Sequence, residues 1–218
     1  NKCEHVLKLQ DQIIDVKNDR LFLIFELAKG SLEKIPSKLS YAEVLSLTNS
    51  LLQSLKFAHQ NRIVHRDLKP ANILISKTGL FLVSDWGISR NMCGPGTLSH
   101  AFTAKGTTGY IAPEIFQLVD EFIDKVNLFK ADLYAAALVL LFATGVSEKE
   151  IAGGINTLSA KKHSIDIEDF IQEYVKPHYP GFDNLIRRMT AYNPKDITDV
   201  NEALSIFSSL SENVTLFL

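Results

Sequence analysis

The chain has 218 residues, 46% of them hydrophobic and 22% charged, which argues against a disordered or low-complexity protein. Its formal net charge of −2 gives no basis for nucleic acid or an anionic membrane as a partner. The two cysteines, Cys3 and Cys93, are far apart in sequence. They argue against a zinc site or a disulfide scaffold and suit a reducing, cytoplasmic setting. The chain opens NKCEHV with no secretory signal, and it is expected to be a piece of something longer.

Taken in chain order, HVLKLQDQIIDV and RLFLIFEL, separated by Lys17-Asn18-Asp19, predict a β-hairpin. Residues 41–60 predict a helix with Val44, Leu47, Leu51, Leu55 and Ala58 on one face and Ser40 as its cap. ILI and LFLV, joined by Ser76-Lys77-Thr78-Gly79, predict a second, smaller hairpin in which Ile75 pairs with Leu80. Residues 88–109, containing NMCGPGTLSH, read as an exposed loop. ADLYAAALVLLFATG, residues 131–145, is too short an apolar run to span a bilayer and predicts a helix buried on all sides. Its Ala135–Ala137 run would let neighbouring helices come close. Asp183–Ala191 and Asp199–Leu210 predict two amphipathic helices. The fold class is α+β, mostly α.

IVHRDLKPANILIS, residues 63–76, packs Asp67, Lys69 and Asn72 between two apolar runs. The small hairpin explains why. With the predicted pairing, Asn72 lies near Val83 and meets Asp85 at the hairpin's open end, while Asp67 and Lys69 sit on the loop feeding into it. Carboxylate and amide oxygens with room for water and phosphate suit Mg²⁺. Lys69 would offset charge on a transferring phosphoryl group, and Asp67 would accept a hydroxyl proton. Taken singly, each of these residues also reads as a loop cap or turn former.

Together they resemble the eukaryotic-type protein kinases, and the resemblance covers nearly the whole chain. HRDLKPAN (65–72) is similar to the catalytic loop, DWG (85–87) to the metal-binding motif, and GTTGYIAPE (106–114) to the end of the activation segment. ADLYAAALVLLFATG resembles the long buried helix behind the site. The resemblance implies a kinase-like fold: residues 1–28 as the last amino-terminal-lobe strands and hinge, and residues 29–218 as the carboxy-terminal lobe. The activation segment would be 85–114. It implies Asp67 as catalytic base, Lys69 as phosphate contact, Asn72 and Asp85 as magnesium ligands, and Thr107 as a substrate-seating contact of Asp67 and Lys69. Leu74 would lie under the adenine of ATP, Phe25 would be the gatekeeper, and Glu26, Leu27 and Ala28 would form the hinge. Asp132 would hold the catalytic-loop backbone, against the plainer reading of a helix N-cap. His65 is expected to be a core residue packed on Trp86, whose indole N–H needs a partner. Thr103, four residues before Thr107, would be an activating phosphosite gripped by Arg66 and Arg90, with Thr97 and Ser99 as rivals.

The chain also departs from the family pattern. The glycine-rich loop, the strand lysine and the helix glutamate are absent and are expected before Asn1. The hairpin would then present Leu7 and Leu9 inward. The family's arginine partner for Glu114 falls at Ile197, leaving Lys195 and Arg188 as candidates. The segment after Gly145 lacks the usual Pro-Phe. Two functions follow as expectations. One is a serine/threonine protein kinase using ATP and Mg²⁺ on protein hydroxyls, inactive as this fragment alone. The other is a non-catalytic kinase-like binding module.

Overall fold

The computed structural model describes residues 3–92, 108–116, 127–155, 166–191 and 199–215. Strands β1 (Leu9–Asp15) and β2 (Arg20–Phe25) form the first antiparallel hairpin. It begins at Leu9 because His5–Leu7 are used elsewhere. Val6 bridges Val83 in parallel, the Val83 N–H donates to the His5 carbonyl at 2.8 Å, and the Leu7 N–H donates to the Val83 carbonyl at 3.0 Å. The His5 ring is buried against the Ser50 hydroxyl (3.0 Å), which pins this segment to the next helix.

Leu7 is half-buried, but Leu9 does not face inward: it is 50% exposed. A register shift between Leu9 and Asp11 breaks the alternation there, and every residue of both strands except Asp15 is exposed. Ile13, Ile14, Leu21, Phe22 and Phe25 therefore form an uncovered apolar ribbon among the described residues.

Helix α1 (Tyr41–Gln60) follows the predicted bounds. The Ser40 hydroxyl accepts from the Glu43 N–H while the Glu43 carboxylate accepts from the Ser40 N–H, a reciprocal cap. Val44, Leu47, Leu51, Leu55 and Ala58 are all buried, as the periodicity requires. Two short ladders flank the loop that follows. Strand β4 (Ile63–Val64) pairs with β7 (Arg90–Asn91), while β3 (Gly30–Ser31), β5 (Ile73–Ile75) and β6 (Phe81–Val83) form a three-stranded sheet in the order β3-β5-β6.

The small hairpin is shifted by one residue from expectation, because Ile75 pairs with Phe81 and Ile73 with Val83. Ser76 closes the loop from both sides: its N–H donates to the Leu80 carbonyl and its hydroxyl accepts the Leu80 N–H, both at 2.9 Å. Gly79, at φ +89°, supplies the left-handed residue this loop needs. Asn72 is thereby opposite Ser84, and Asp85 comes next.

After the single turn α2 (Pro113–Phe116), helix α3 (Leu128–Ala143) is the core. It starts three residues earlier than predicted because Asn127 caps it, accepting from the Phe129 N–H at 3.1 Å. Asp132 is therefore inside the helix, and the N-cap reading of that residue is wrong. Leu133, Leu138, Leu140 and Leu141 are at most 1% exposed, each contributing about 2 kcal/mol of burial. Ala136 and Ala137 are fully buried, and α1 packs on α3.

Helices α4 (Glu148–Ile155), α5 (Phe182–Met189) and α6 (Val200–Thr215) complete the helical part, with a π-helical turn, Ile171–Val175, ahead of α5. Asp199 caps α6 by accepting the Asn201 and Glu202 N–H groups. The α+β, mostly helical class is as predicted. No helix among the described residues is long and apolar enough to cross a membrane.

Candidate active site

The segment between β4 and β5 carries the charged residues, and its backbone is held from behind. Arg66 has φ +74°, a left-handed conformation costly for a side chain of this kind. Asp132, 2% exposed, offsets that cost with both carboxylate oxygens. Oδ2 accepts the His65 N–H and Oδ1 the Arg66 N–H, each at 2.9 Å. His59, in the last turn of α1, adds its Nε2 to Asp132 Oδ2 at 3.0 Å, with its ring edge-on to Phe129 at 4.9 Å. His59 was not anticipated. A lone histidine at a helix end reads as a dipole-facing residue, and no sequence signal joins it to Asp132.

His65 is fully buried, and its partners fix its tautomer. Nδ1 accepts the Asp67 N–H at 3.2 Å, so Nε2 carries the proton donated to the Ser84 carbonyl at 2.9 Å. The ring is then neutral and packs on Trp86 at 4.5 Å between centroids, the core role expected of it. Trp86 finds a partner too, its indole N–H reaching the Val83 carbonyl at 3.4 Å.

Around this support the candidate site residues gather. Lys69 Nζ lies 2.9 Å from Asp67 Oδ2. The Asn72 amide donates to Asp67 Oδ2 at 3.1 Å and to the Asp67 carbonyl at 2.8 Å. The Asn72 carbonyl accepts from both the Ser84 N–H (2.9 Å) and the Ser84 hydroxyl (2.8 Å). That double bond locks the two strand ends together and sets Asp85 beside Asn72. Asp85 is exposed, at φ +58°, with Oδ1 3.4 Å from the Gly87 N–H. A side chain on Gly87 would press its Cβ to 3.1 Å from that oxygen.

Asn72 spends its amide N–H on Asp67, so its side-chain oxygen and the Asp85 carboxylate are the hard donors at the hairpin end. That pair fits a magnesium ion that keeps water and phosphate oxygens as its other ligands.

Leu74 is half-buried between Leu82 and Ser31, its register partners on either side. The Lys29 N–H donates to the Ile75 carbonyl at 2.7 Å, so the chain leaving Glu26, Leu27 and Ala28 runs alongside β5. Glu26 and Ala28 are half-buried, whereas Leu27 is 75% exposed. The sheet thus brings Leu74 and the segment after Ala28 together.

Thr97, Ser99, Thr103, Thr107, Lys195 and Ile197 lie outside the described residues, as do the side chains of Arg90 and Glu114. Arg188, one candidate partner for Glu114, is engaged with Glu202 on α6.

Three residues not anticipated lie at the edge of the site. Tyr110 is 6% exposed, and its hydroxyl has no hydrogen-bond partner among the described residues. Burial, with the nearby Glu148 and Glu33 carboxylates, pushes its phenol far above the ordinary value. Burial and the Glu33 charge also raise the Glu148 carboxyl, against the Lys69 ammonium, which lowers it.

The sequence pattern of the protein kinase domain matches residues 1–207. The chain therefore belongs to the protein kinase family, of the eukaryotic type. It is 29% identical over 202 residues to the serine/threonine-protein kinase cds1 of Schizosaccharomyces pombe, covering 86% of this chain and 41% of that protein. It is 30% identical over 172 residues to SNF1-activating kinase 1 of Saccharomyces cerevisiae, covering 67% of this chain and 15% of that protein. With the phosphorylase b kinase gamma catalytic chain, liver/testis isoform, of Bos taurus it shares 36% over 142 residues, 62% of this chain and 33% of that protein. The chain spans less than half the length of each of these relatives.

Proposed function

We propose that this chain is the catalytic-lobe part of a serine/threonine protein kinase that transfers the γ-phosphoryl group of ATP to a protein hydroxyl. The observation that carries this reading is the Asp67–Lys69–Asn72 cluster, bonded at 2.9 and 3.1 Å beside Asp85 and braced by Asp132. Asp67 accepts the proton of the attacking hydroxyl, and Lys69 offsets charge on the transferring group. Asn72 and Asp85 would hold Mg²⁺, which would supply positive charge to offset that of the phosphates. Glu26, Ala28 and Leu74 border the adenine, and Thr107 seats the substrate. The donor set, more than the likeness, supports the chemistry. A docking module would have no chemical use for this set.

The test is nucleotide binding by the intact protein with and without Mg²⁺. Asp85→Asn removes one anionic donor, so it should weaken Mg²⁺-dependent ATP binding by about tenfold or more while leaving metal-independent binding nearly unchanged. Equal binding by wild type and variant in the presence of Mg²⁺ would exclude Asp85 as a metal ligand.

Regulation is proposed at Thr103, with Arg66 and Arg90 as its grip. The Val64–Arg90 pairing supports this, because it brings the backbone of Arg90 beside the strand that leads into Arg66. A phosphate carrying ~1.5–2 negative charges between two guanidinium groups would order the activation segment. Thr103→Ala should lower activity several-fold in a protein whose Thr103 is found phosphorylated by mass spectrometry. A Thr103 that is never modified, or whose loss changes nothing, would place the switch elsewhere.

A further inference from the structure

The residues at the centre of the site come from two stretches of chain, 65–72 and 84–85, and hydrogen bonds join them into a closed cycle. The Asp67 N–H donates to His65 Nδ1 at 3.2 Å, and His65 Nε2 donates to the Ser84 carbonyl at 2.9 Å. Ser84 in turn donates twice to the Asn72 carbonyl, from its N–H at 2.9 Å and from its hydroxyl at 2.8 Å. The Asn72 side-chain amide closes the cycle on the Asp67 carbonyl and carboxylate, at 2.8 and 3.1 Å. His65, Ser84 and Asn72 are each at most 6% exposed, so water does not readily replace a bond that is lost.

The Ser84 hydroxyl has no part in the chemistry proposed for the site, yet it completes this cycle. A backbone carbonyl has two lone pairs, and Ser84 alone engages the Asn72 carbonyl with two donors. A single N–H bond would set the distance between the two strand ends and leave the Asn72 peptide plane free to tilt. The second donor restrains that tilt. It matters because the Asn72 side chain departs from the same residue, and Asp85 directly follows Ser84. Asp85 is exposed and at φ +58°, so burial does not hold its carboxylate in place.

We propose that Ser84 is a positioning residue whose hydroxyl sets the spacing of the two metal donors, Asn72 and Asp85. Through His65 it couples that spacing to the placement of Asp67. Bonds in a buried, closed network reinforce one another, so cutting one weakens the link on the far side. Loss of a hydroxyl that touches neither nucleotide nor substrate therefore disturbs base and metal donors together. The roles of Asp67, Asn72 and Asp85 rest on the kinase reading, whereas the cycle rests on distances alone.

The experiment compares the intact protein with Ser84→Ala, which keeps the backbone N–H bond, and Ser84→Thr, which keeps the hydroxyl. Hydrogen exchange is read first, without nucleotide or metal, at the residue 67 amide, which lies beyond His65 from the substitution. Exchange there should rise about fivefold in Ser84→Ala and return close to wild type in Ser84→Thr. An equal rise among the α3 amides would report general destabilisation and overturn the positioning role. ATP binding is then titrated with Mg²⁺. Half-maximal binding should need about three- to tenfold more Mg²⁺ in Ser84→Ala, with metal-free affinity unchanged. If urea unfolding shows that Ser84→Ala does not fold, Ser84→Cys, with its weaker S–H donor, takes its place in both measurements. Unchanged exchange at residue 67, or a wild-type Mg²⁺ requirement in the folded variant, overturns the proposal and leaves the kinase reading standing. Faster exchange at residue 67, in a protein whose wild type neither binds ATP with Mg²⁺ nor transfers phosphate, keeps the coupling through Ser84 and removes the kinase reading.

Discussion

Replacing Asp132 by alanine should be among the most destabilising single changes in this chain. The carboxylate is 2% exposed and accepts three donors: the N–H groups of His65 and Arg66 and the His59 imidazole. Alanine would leave two backbone N–H groups and a ring N–H without their acceptor in the interior, at about 1–3 kcal/mol for each group that water cannot reach. Arg66, at φ +74°, would also lose what holds it there. We expect a loss of about 3–5 kcal/mol, the range seen when a buried charge network is broken. Urea unfolding of the intact protein would measure it. Asp132→Asn, which keeps one acceptor oxygen, should lose less. His59→Ala should lose least, because it removes one donor and leaves the two backbone bonds intact. If the Asp132→Ala protein does not fold, hydrogen exchange in the His59→Ala and Asp132→Asn proteins still decides the matter. Unchanged protection of the residue 65 and 66 amides in Asp132→Asn would show that this side chain does not hold the loop.

What the sequence reveals of this protein follows the range of the interactions involved. Helix α1 was legible because its cap and its buried face are both local: Ser40 and Glu43 are one turn apart, and Val44 to Ala58 repeat at helical spacing. Helix α3 was legible from its run of apolar residues alone. Its start was missed because Asn127, the true cap, precedes the apolar run. The Asn72–Asp85 meeting was legible because a short hairpin connects them, but its register slipped by one. Leu80, assigned to Ile75 by the prediction, is held by Ser76 instead, through its N–H and its hydroxyl.

Helix α4 and the π-helical turn Ile171–Val175 were not seen. The first is eight residues long and contains Gly153-Gly154, and the second depends on packing, not propensity. Glu33, Tyr110 and Glu148 were invisible for another reason. They lie on three separate elements, and no spacing in the chain relates a glutamate after β3 to one that opens α4. The hairpin β1–β2 was read correctly as strands and wrongly as having an inward face. Burial depends on what covers a strand, and alternation within the strand does not supply that.

Asp67→Asn should reduce turnover while leaving the fold and nucleotide binding nearly intact. The substitution is isosteric, and the new side-chain oxygen can still accept from Lys69 and Asn72, which approach Asp67 Oδ2 at 2.9 and 3.1 Å. The lost ion pair is partly open to solvent, with the Lys69 side chain 26% exposed, so the stability change should stay within about 1 kcal/mol. The backbone around it is held by other groups. The Asp67 N–H donates to His65 Nδ1 and the Asp67 carbonyl accepts from Asn72, and neither contact involves the carboxylate. What an amide cannot do is take the proton of an attacking serine or threonine hydroxyl. Loss of a general base lowers rates by ~10²–10⁴-fold, equivalent to about 2.7–5.4 kcal/mol in the barrier. The loss should appear in kcat, with the KM for ATP little changed, because Asn72 and Asp85 remain. Asp85→Asn should show the opposite pattern, dominated by weaker nucleotide binding. Steady-state phosphotransfer at saturating ATP and Mg²⁺, measured beside urea unfolding of the same preparations, separates the two. Turnover within a few-fold of wild type in a folded Asp67→Asn protein would remove Asp67 from the role of base, whatever else the site does.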